Sequence, residues 1–205
     1  MRGFILNTQL VREEDLLVRI LTKDEVVTLY RFYGARHSYI NVGYHIDFNI
    51  EVSPKVTIKR LRNVVQLSYK FMFDREKVLI YNQFIKLLHK HLIDVSRIDS
   101  FYYELLEDIS KKLDSRDAKR LIIESYVKLL EKEGRLHKEL ECFLCEKKID
   151  NEVALARAFL PAHTKCVYSK GFDKEKILTL FNEKKSLLFD DNEINQLYKI
   201  LLLGI

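Results

Sequence analysis

Hydrophobic and polar positions change their period near residue 74. Before it they alternate: Ile46-Asp47-Phe48-Asn49-Ile50-Glu51-Val52 and Val56-Thr57-Ile58-Lys59 put apolar residues on one face of an extended chain rich in β-branched and aromatic types. The pattern predicts strands over residues 3–11, 15–22, 25–33 and 44–52, with one or two more between 55 and 69. Gly34 and Gly43 bracket an irregular stretch, and Ser53-Pro54 opens the later strands where a missing amide donor is tolerated. About five short strands of this kind suit a small, partly open barrel of the OB-fold type, which commonly binds single strands on a strand face flanked by loops.

From Asp74 the period is helical. Val78, Ile85, Leu88 and Leu92 form one apolar stripe, Tyr102, Leu105, Ile109 and Leu113 a second, and Ile122, Tyr126, Leu129 and Leu130 a third. Asp74 and Ser115 have the chemistry of N-caps, and Gly134 that of a C-terminal stop. Residues 151–160 again read as helical, ended by Pro161. Residues 173–185 and 190–203 read as two last helices. The expected class is α+β: a five-stranded OB-fold barrel over residues 1–74, then an α-helical bundle domain over 75–205 with a small Cys/His segment at 137–170.

Composition adds a charge asymmetry. The net charge is +5, and Lys and Arg outnumber Asp and Glu by twelve to eight in residues 1–75 but only by twenty-three to twenty-two in the rest. The positive excess therefore lies on the barrel, the part expected to meet a polyanion. There, cations and aromatics interleave at Arg31, Tyr33, Arg36, His37 and Tyr39, then at Lys55, Lys59, Arg60 and Arg62. Cations track phosphates and aromatic faces stack on bases. An ordinary solvated sheet with its aromatics turned inward fits the same residues. The alternation leaves open whether Tyr30 and Phe32 or Arg31 and Tyr33 face a ligand.

The second constellation is Cys142-x-x-Cys145, followed after seventeen residues by His163-x-x-Cys166. Two such pairs deliver four ligands from two tight turns, the arrangement of a tetrahedral structural zinc, although three free cysteines can also be simply buried. No apolar run approaches the ~20 residues of a bilayer span, and the N-terminus lacks the pattern of a signal peptide. The expectation is a cytoplasmic protein without a membrane partner. There is no Gly-rich phosphate loop with its Lys, no Gly-x-Ser-x-Gly and no His-Glu-x-x-His, so the residues point to a binding protein without a nucleotide cofactor. Two rivals share the same features. One is an RNA- or tRNA-binding OB-fold adaptor. The other is a zinc-dependent nucleic-acid hydrolase using Cys142, Cys145 and Cys166 with Glu139 as base.

The order Gly3-Phe4-Ile5-Leu6, Glu14-Asp15, Leu17-Val18, Leu21-Thr22 and Gly34-Ala35-Arg36 resembles the N-terminal OB-fold of bacterial RecO-type recombination mediator proteins. Tyr44-His45-Ile46-Asp47-Phe48-Asn49-Ile50-Glu51 and a helical body carrying Cys-x-x-Cys extend the likeness over the chain. The resemblance implies a non-enzymatic DNA-repair protein of the bacterial cytoplasm and nucleoid. It would bind single- and double-stranded DNA, anneal complementary strands and, with a RecR-type partner, help load RecA-type recombinase onto strands coated by single-strand-binding protein, without hydrolysing ATP. It implies a DNA contact at Arg36. It also implies docking of the acidic, Phe-ending tail of single-strand-binding protein on the helical domain, for which Lys119, Arg120 and Lys128 are candidate cations. Two features depart from the family: the second metal pair begins with His163 instead of Cys, and the chain is short.

Overall fold

The computed structural model describes residues 1–52 and 57–205, which form two compact units, Met1–Ser115 and Arg116–Ile205. In the first, strands β1 (Arg2–Arg12), β2 (Asp15–Leu21), β3 (Val26–Arg31), β4 (His45–Glu51) and β5 (Arg60–Leu67) close a barrel in the order β1-β2-β3-β5-β4. Neighbours are antiparallel except β3 and β5, which run parallel where Tyr30 meets Arg60. This is the expected five-stranded OB-type barrel. One strand, β5, forms within residues 57–69. Ser53, Pro54, Lys55 and Val56, on which the expected start of that strand falls, lie outside the described residues.

Period-2 patterning explains the barrel core. Leu16, Val18 and Ile20 of β2 point inward with Ile5, Leu29, Ile40, Ile46, Phe48 and Leu61, while Leu17 and Arg19 alternate outward. The first half of β1, Gly3 to Leu6, is buried on both faces. Ile5 enters the barrel, and Phe4 stacks outside it on His45, with ring centroids 4.1 Å apart, and beside Tyr103 at 5.4 Å.

Helices α1 (Arg75–His91) and α2 (Phe101–Lys112) belong to this same unit. The change of period at residue 74 marks the start of helix. Asp74 caps α1 as expected, accepting from the amides of Glu76 and Lys77. The compact unit nevertheless continues to Ser115, because α1 buries Ile80, Tyr81, Phe84, Ile85 and Leu88 and the chain after it is tied to the barrel. The Arg19 guanidinium donates to the carbonyls of Leu92, Ile93 and Val95 at 2.8, 2.7 and 3.2 Å. The Val26 amide donates to Ser96 at 2.8 Å, and that of Ile98 to Asp24 at 3.0 Å. Gly43 adds a tie at the end of the irregular stretch. Its φ of +85° is open to glycine, and a Cβ there would collide with Asn82 of α1.

His45 is the polar element of this joint. It is 2% exposed, with Nδ1 2.8 Å from the Tyr69 hydroxyl and Nε2 3.0 Å from the Tyr103 hydroxyl. Neutral imidazole satisfies both contacts, one nitrogen accepting and the other donating. Burial lowers its pKa to about 4, against the opposing pull of Glu107; Arg2 and Lys111 lower it further and Asp47 raises it. A base whose pKa falls on folding gives stability that is complete above its unfolded value, near 6.5, and lost as pH falls towards 4. Acidification across that window is expected to remove about 3 kcal/mol. Urea unfolding at pH 7.5 and 4.5 checks this, with His45→Phe expected to lose much of the difference.

In the second unit, α3 (Ala118–Lys132) is followed by β6 (Glu152–Leu155), β7 (Pro161–Ala162), the short helix α4 (Thr164–Val167), β8 (Phe172–Asp173), α5 (Lys174–Glu183) and α6 (Asp191–Leu201). Helices α3, α5 and α6 pack through Leu121, Ile122, Tyr126, Leu129 and Leu130, Ile177, Leu180 and Phe181, and Ile194, Leu197 and Leu201. Two sequence expectations are corrected here. The N-cap of α3 is Asp117, which accepts from the Arg120 amide at 2.8 Å, whereas the Ser115 hydroxyl turns back to the Lys112 carbonyl. Residues 151–160 are not a helix: β6 lies at the centre of a three-stranded sheet ordered β7-β6-β8, followed by a single 3-10 turn over Arg157–Phe159. Val153, Ala154 and Leu155 are all buried, and Ala158 and Phe159 have φ of +57° and +54°, which no α-helix accommodates. Gly134, at φ +68°, ends α3 as expected. Among the described residues no helix is long and apolar enough to cross a membrane.

Candidate nucleic-acid interface and metal centre

The barrel gathers its cations and aromatics where β1 ends, β3 ends and β5 begins. Asp15 organises the corner: its carboxylate accepts from the Tyr30 hydroxyl and from the Tyr33 amide, and the Tyr30 bond above all holds its pKa below the usual range. Tyr33 is thereby fixed at φ +52°, a left-handed conformation costly for a residue with a Cβ, and its ring is 59% exposed. Gly34 follows because a side chain there would run into Leu16, and Gly34–Arg36 turn as one 3-10 turn. Arg36 lies 5.3 Å over the Tyr33 ring and pairs with Glu14.

Phe32 and Tyr30 share the outer face of β3, in edge contact at 4.9 Å, and Arg60 lies 5.1 Å over Phe32. Tyr30 and Phe32 line one cleft of about 420 Å³ with Arg12, Thr57, Ile58 and Arg60. A second cleft of about 580 Å³ lies against Arg12, Glu13, Glu14, Asp15, Phe32 and Tyr33.

The other candidate residues are dispersed. Arg31 folds back to the Leu61 carbonyl at 3.0 Å and the Tyr39 hydroxyl at 3.4 Å, and His37 stacks on Tyr39 at 4.9 Å. Lys59 is exposed on the approach to β5. Arg60 and Arg62 share Glu51, at 3.7 and 2.5 Å. Lys55 lies outside the described residues. Arg12 and Ile58 were not among the residues expected at the site, and Phe32 was expected only as one of two alternatives. Arg12 is far from Arg60 in sequence and reaches this corner through the β1–β2–β3 pairing, which no local pattern encodes.

In the second unit, Cys142, Cys145, His163 and Cys166 place their ligand atoms within 4.8 Å of one another. Two turns do this. The Glu146 amide bonds back to the Cys142 carbonyl at 2.8 Å and the Cys166 amide to that of His163 at 2.9 Å, while the Phe143 amide donates to Pro161 at 3.0 Å and joins the turns. Burial works to raise the Cys142 thiol, but amides of His163, Cys145 and Leu144 donating to its sulfur outweigh it and bring the pKa to about 6. Burial and the neighbouring sulfurs push Cys166 up to about 11. His163 Nδ1 faces the sulfurs of Cys145 and Cys166 at 3.4 and 3.9 Å, and Nε2 is 3.1 Å from the Lys148 carbonyl. That carbonyl fixes the tautomer with its proton on Nε2 and its lone pair on Nδ1, as in a metal-ligating imidazole.

Ligands at zinc-bond lengths of 2.3 Å sit roughly 3.8 Å apart in a tetrahedron, so closing the cluster on an ion takes about 1 Å of contraction. Three thiols and an imidazole fit Zn²⁺, and the cluster can bind one. All four tetrahedral positions are filled by side chains, the arrangement of a structural site.

The candidate partner residues lie along α3. Arg120 donates to the carbonyls of Ser186 and Phe189 and pairs with Asp191, at 2.7, 2.9 and 3.0 Å, bracing a turn on which Leu187 and Leu188 are exposed. Lys119 donates to Asn195 at 2.8 Å, and Lys128 is half-buried on the same helix.

Residues 1–72 match the family model described as RecO N terminal, a span that includes all five barrel strands. A search of curated proteins found no match.

Proposed function

We propose, from the RecO-type family that the match over residues 1–72 supports, that the protein is a non-enzymatic mediator of recombinational DNA repair. It binds single- and double-stranded DNA through the barrel, anneals complementary strands, and acts with a RecR-type partner to load RecA-type recombinase onto strands coated by single-strand-binding protein, with no ATP hydrolysed. The observation that carries this reading is the coincidence of the family match with the corner at Gly34–Arg36, where Arg12, Arg36 and Arg60 surround the exposed rings of Phe32 and Tyr33. Cations beside exposed rings are what an unstructured strand requires. Of the remaining candidates, Lys59, Arg60 and Arg62 line the adjoining strand as phosphate contacts, and Arg31 and His37 support the corner from behind.

In the helical unit, the acidic tail of single-strand-binding protein docks near Lys119, Arg120 and Lys128, with its terminal Phe against the exposed Leu187 and Leu188. The Cys/His cluster holds one structural zinc that fixes the segment between α3 and α5. It supplies no hydrolytic chemistry, since a complete set of protein ligands leaves no position for an activated water.

The Arg36–Glu14 pair allows a two-sided test. Arg36→Ala is expected to lower DNA affinity roughly fivefold and the salt slope by about 1, equally for all sequences, as loss of one phosphate contact does. Glu14→Gln frees the same guanidinium and is expected to raise affinity roughly threefold. An unchanged salt slope in Arg36→Ala removes the corner from the interface. Parallel titrations with DNA and RNA of one sequence test the adaptor alternative, which tight preference for RNA would favour.

A further inference from the structure

The two clefts beside Phe32 differ in chemistry. That against Glu13, Glu14 and Asp15 carries three carboxylates, two of them engaged by Arg36 and Tyr30, and attracts a phosphodiester less than its neighbour. The other, about 420 Å³, has none among the described residues that line it: Tyr30, Phe32, Thr57 and Ile58 form its walls, with the guanidiniums of Arg12 and Arg60 among its lining. Its volume is that of a small-ligand site. Phe32 is 38% exposed and Ile58 41%, so apolar surface stands open to solvent beside two guanidiniums, Arg12 and Arg60, the second also 3.7 Å from Glu51.

From this we infer that the carboxylate-free cleft receives one unstacked nucleobase of a single strand. The base lies on the Phe32 ring or on the guanidinium plane that Arg60 holds 5.1 Å over it, and Arg12 and Arg60 meet the flanking phosphates. A paired, stacked base cannot enter, so single strands bind through base and backbone whereas duplex engages the cations alone. The inference rests on the DNA-binding reading above and assigns its single-strand mode to Phe32.

The test uses the full chain with two oligomers of equal length and charge, one of thymidylates and one of abasic units. Wild-type protein is expected to bind the thymidylate oligomer roughly tenfold more tightly, the contribution of one stacked base. Phe32→Ala is expected to bring thymidylate binding down to the abasic level, while Phe32→Tyr keeps the difference. Arg12→Ala is expected to weaken both oligomers alike and reduce the salt slope. Equal, salt-dependent binding of both oligomers by wild type, or a Phe32→Ala loss shared by both, overturns the base cleft while leaving the polyanion reading in place. No binding of either oligomer overturns both. Circular dichroism of each variant separates a lost contact from a lost fold.

Discussion

Protein prepared with zinc present is expected to retain roughly one zinc per chain, and Cys142→Ser with Cys145→Ser is expected to remove it along with a large part of the stability of the second unit. The cluster lies in a segment whose apolar residues Leu140, Ile149, Val153, Ala154 and Phe159 are buried but whose strands are very short. Between α3 and α5, the sheet β7-β6-β8 contains strands of four, two and two residues, and Cys145, His163 and Cys166 are partly or fully exposed. Such short pairings do not hold together alone. Four ligands drawn onto one ion join the turn at Cys142–Cys145 to the turn at His163–Cys166, a constraint that the single backbone bond from Phe143 to Pro161 does not supply. Zinc contributes folding free energy directly in sites of this kind. Loss is expected to cost on the order of 5 kcal/mol, which lowers the melting temperature on the order of 10 °C or more. The helices α3, α5 and α6, with their own buried stripes, are expected to stay folded. Elemental analysis and thermal unfolding of wild type and variant check both parts. Metal-free protein from a zinc-replete preparation, with the variant equally stable, contradicts the assignment.

The second large effect is expected at Phe4. It is fully buried on the outer face of β1, stacked on His45 and beside Tyr103 of α2, so it belongs to the seam between barrel and helices. Phe4→Ala removes a whole ring from a site walled by the backbone of a closed barrel, which relaxes little around a void. The expected loss is about 3–5 kcal/mol. It should also loosen the pair of hydrogen bonds at His45, making the unit less sensitive to acid between pH 6.5 and 4. Urea unfolding of wild type and variant measures both. A loss below about 1 kcal/mol would mean that the seam is not packed as described.

Period 2 was enough to find the barrel, because Leu16, Val18 and Ile20 alternate with outward residues and each strand carries its own signal. The helical period misread residues 151–160, where Val153, Ala154 and Leu155 form a continuous apolar run that carries no period at all. Their partners, Pro161, Ala162 and Phe172, are supplied by tertiary pairing. The grouping of Cys142, Cys145, His163 and Cys166 was legible, since the four side chains come from two turns of fixed spacing. The corner at Tyr33–Arg36 was legible only in part. Arg36 and Tyr33 stand beside the glycine that shapes them, but Arg12 and Ile58 join Phe32 through strand order, and Arg31, which looks like an exposed cation in the sequence, is drawn to the Leu61 carbonyl by the closing of β3 on β5. Alternation tells which residues share a face and leaves open which face meets solvent.

The most direct test of the account is the annealing of two complementary DNA oligomers, with and without single-strand-binding protein, at two salt concentrations and with no nucleotide present. Acceleration that persists on coated strands, weakens at the higher salt and falls in Arg36→Ala is the predicted result. DNA binding without any acceleration, on bare or coated strands, would contradict it.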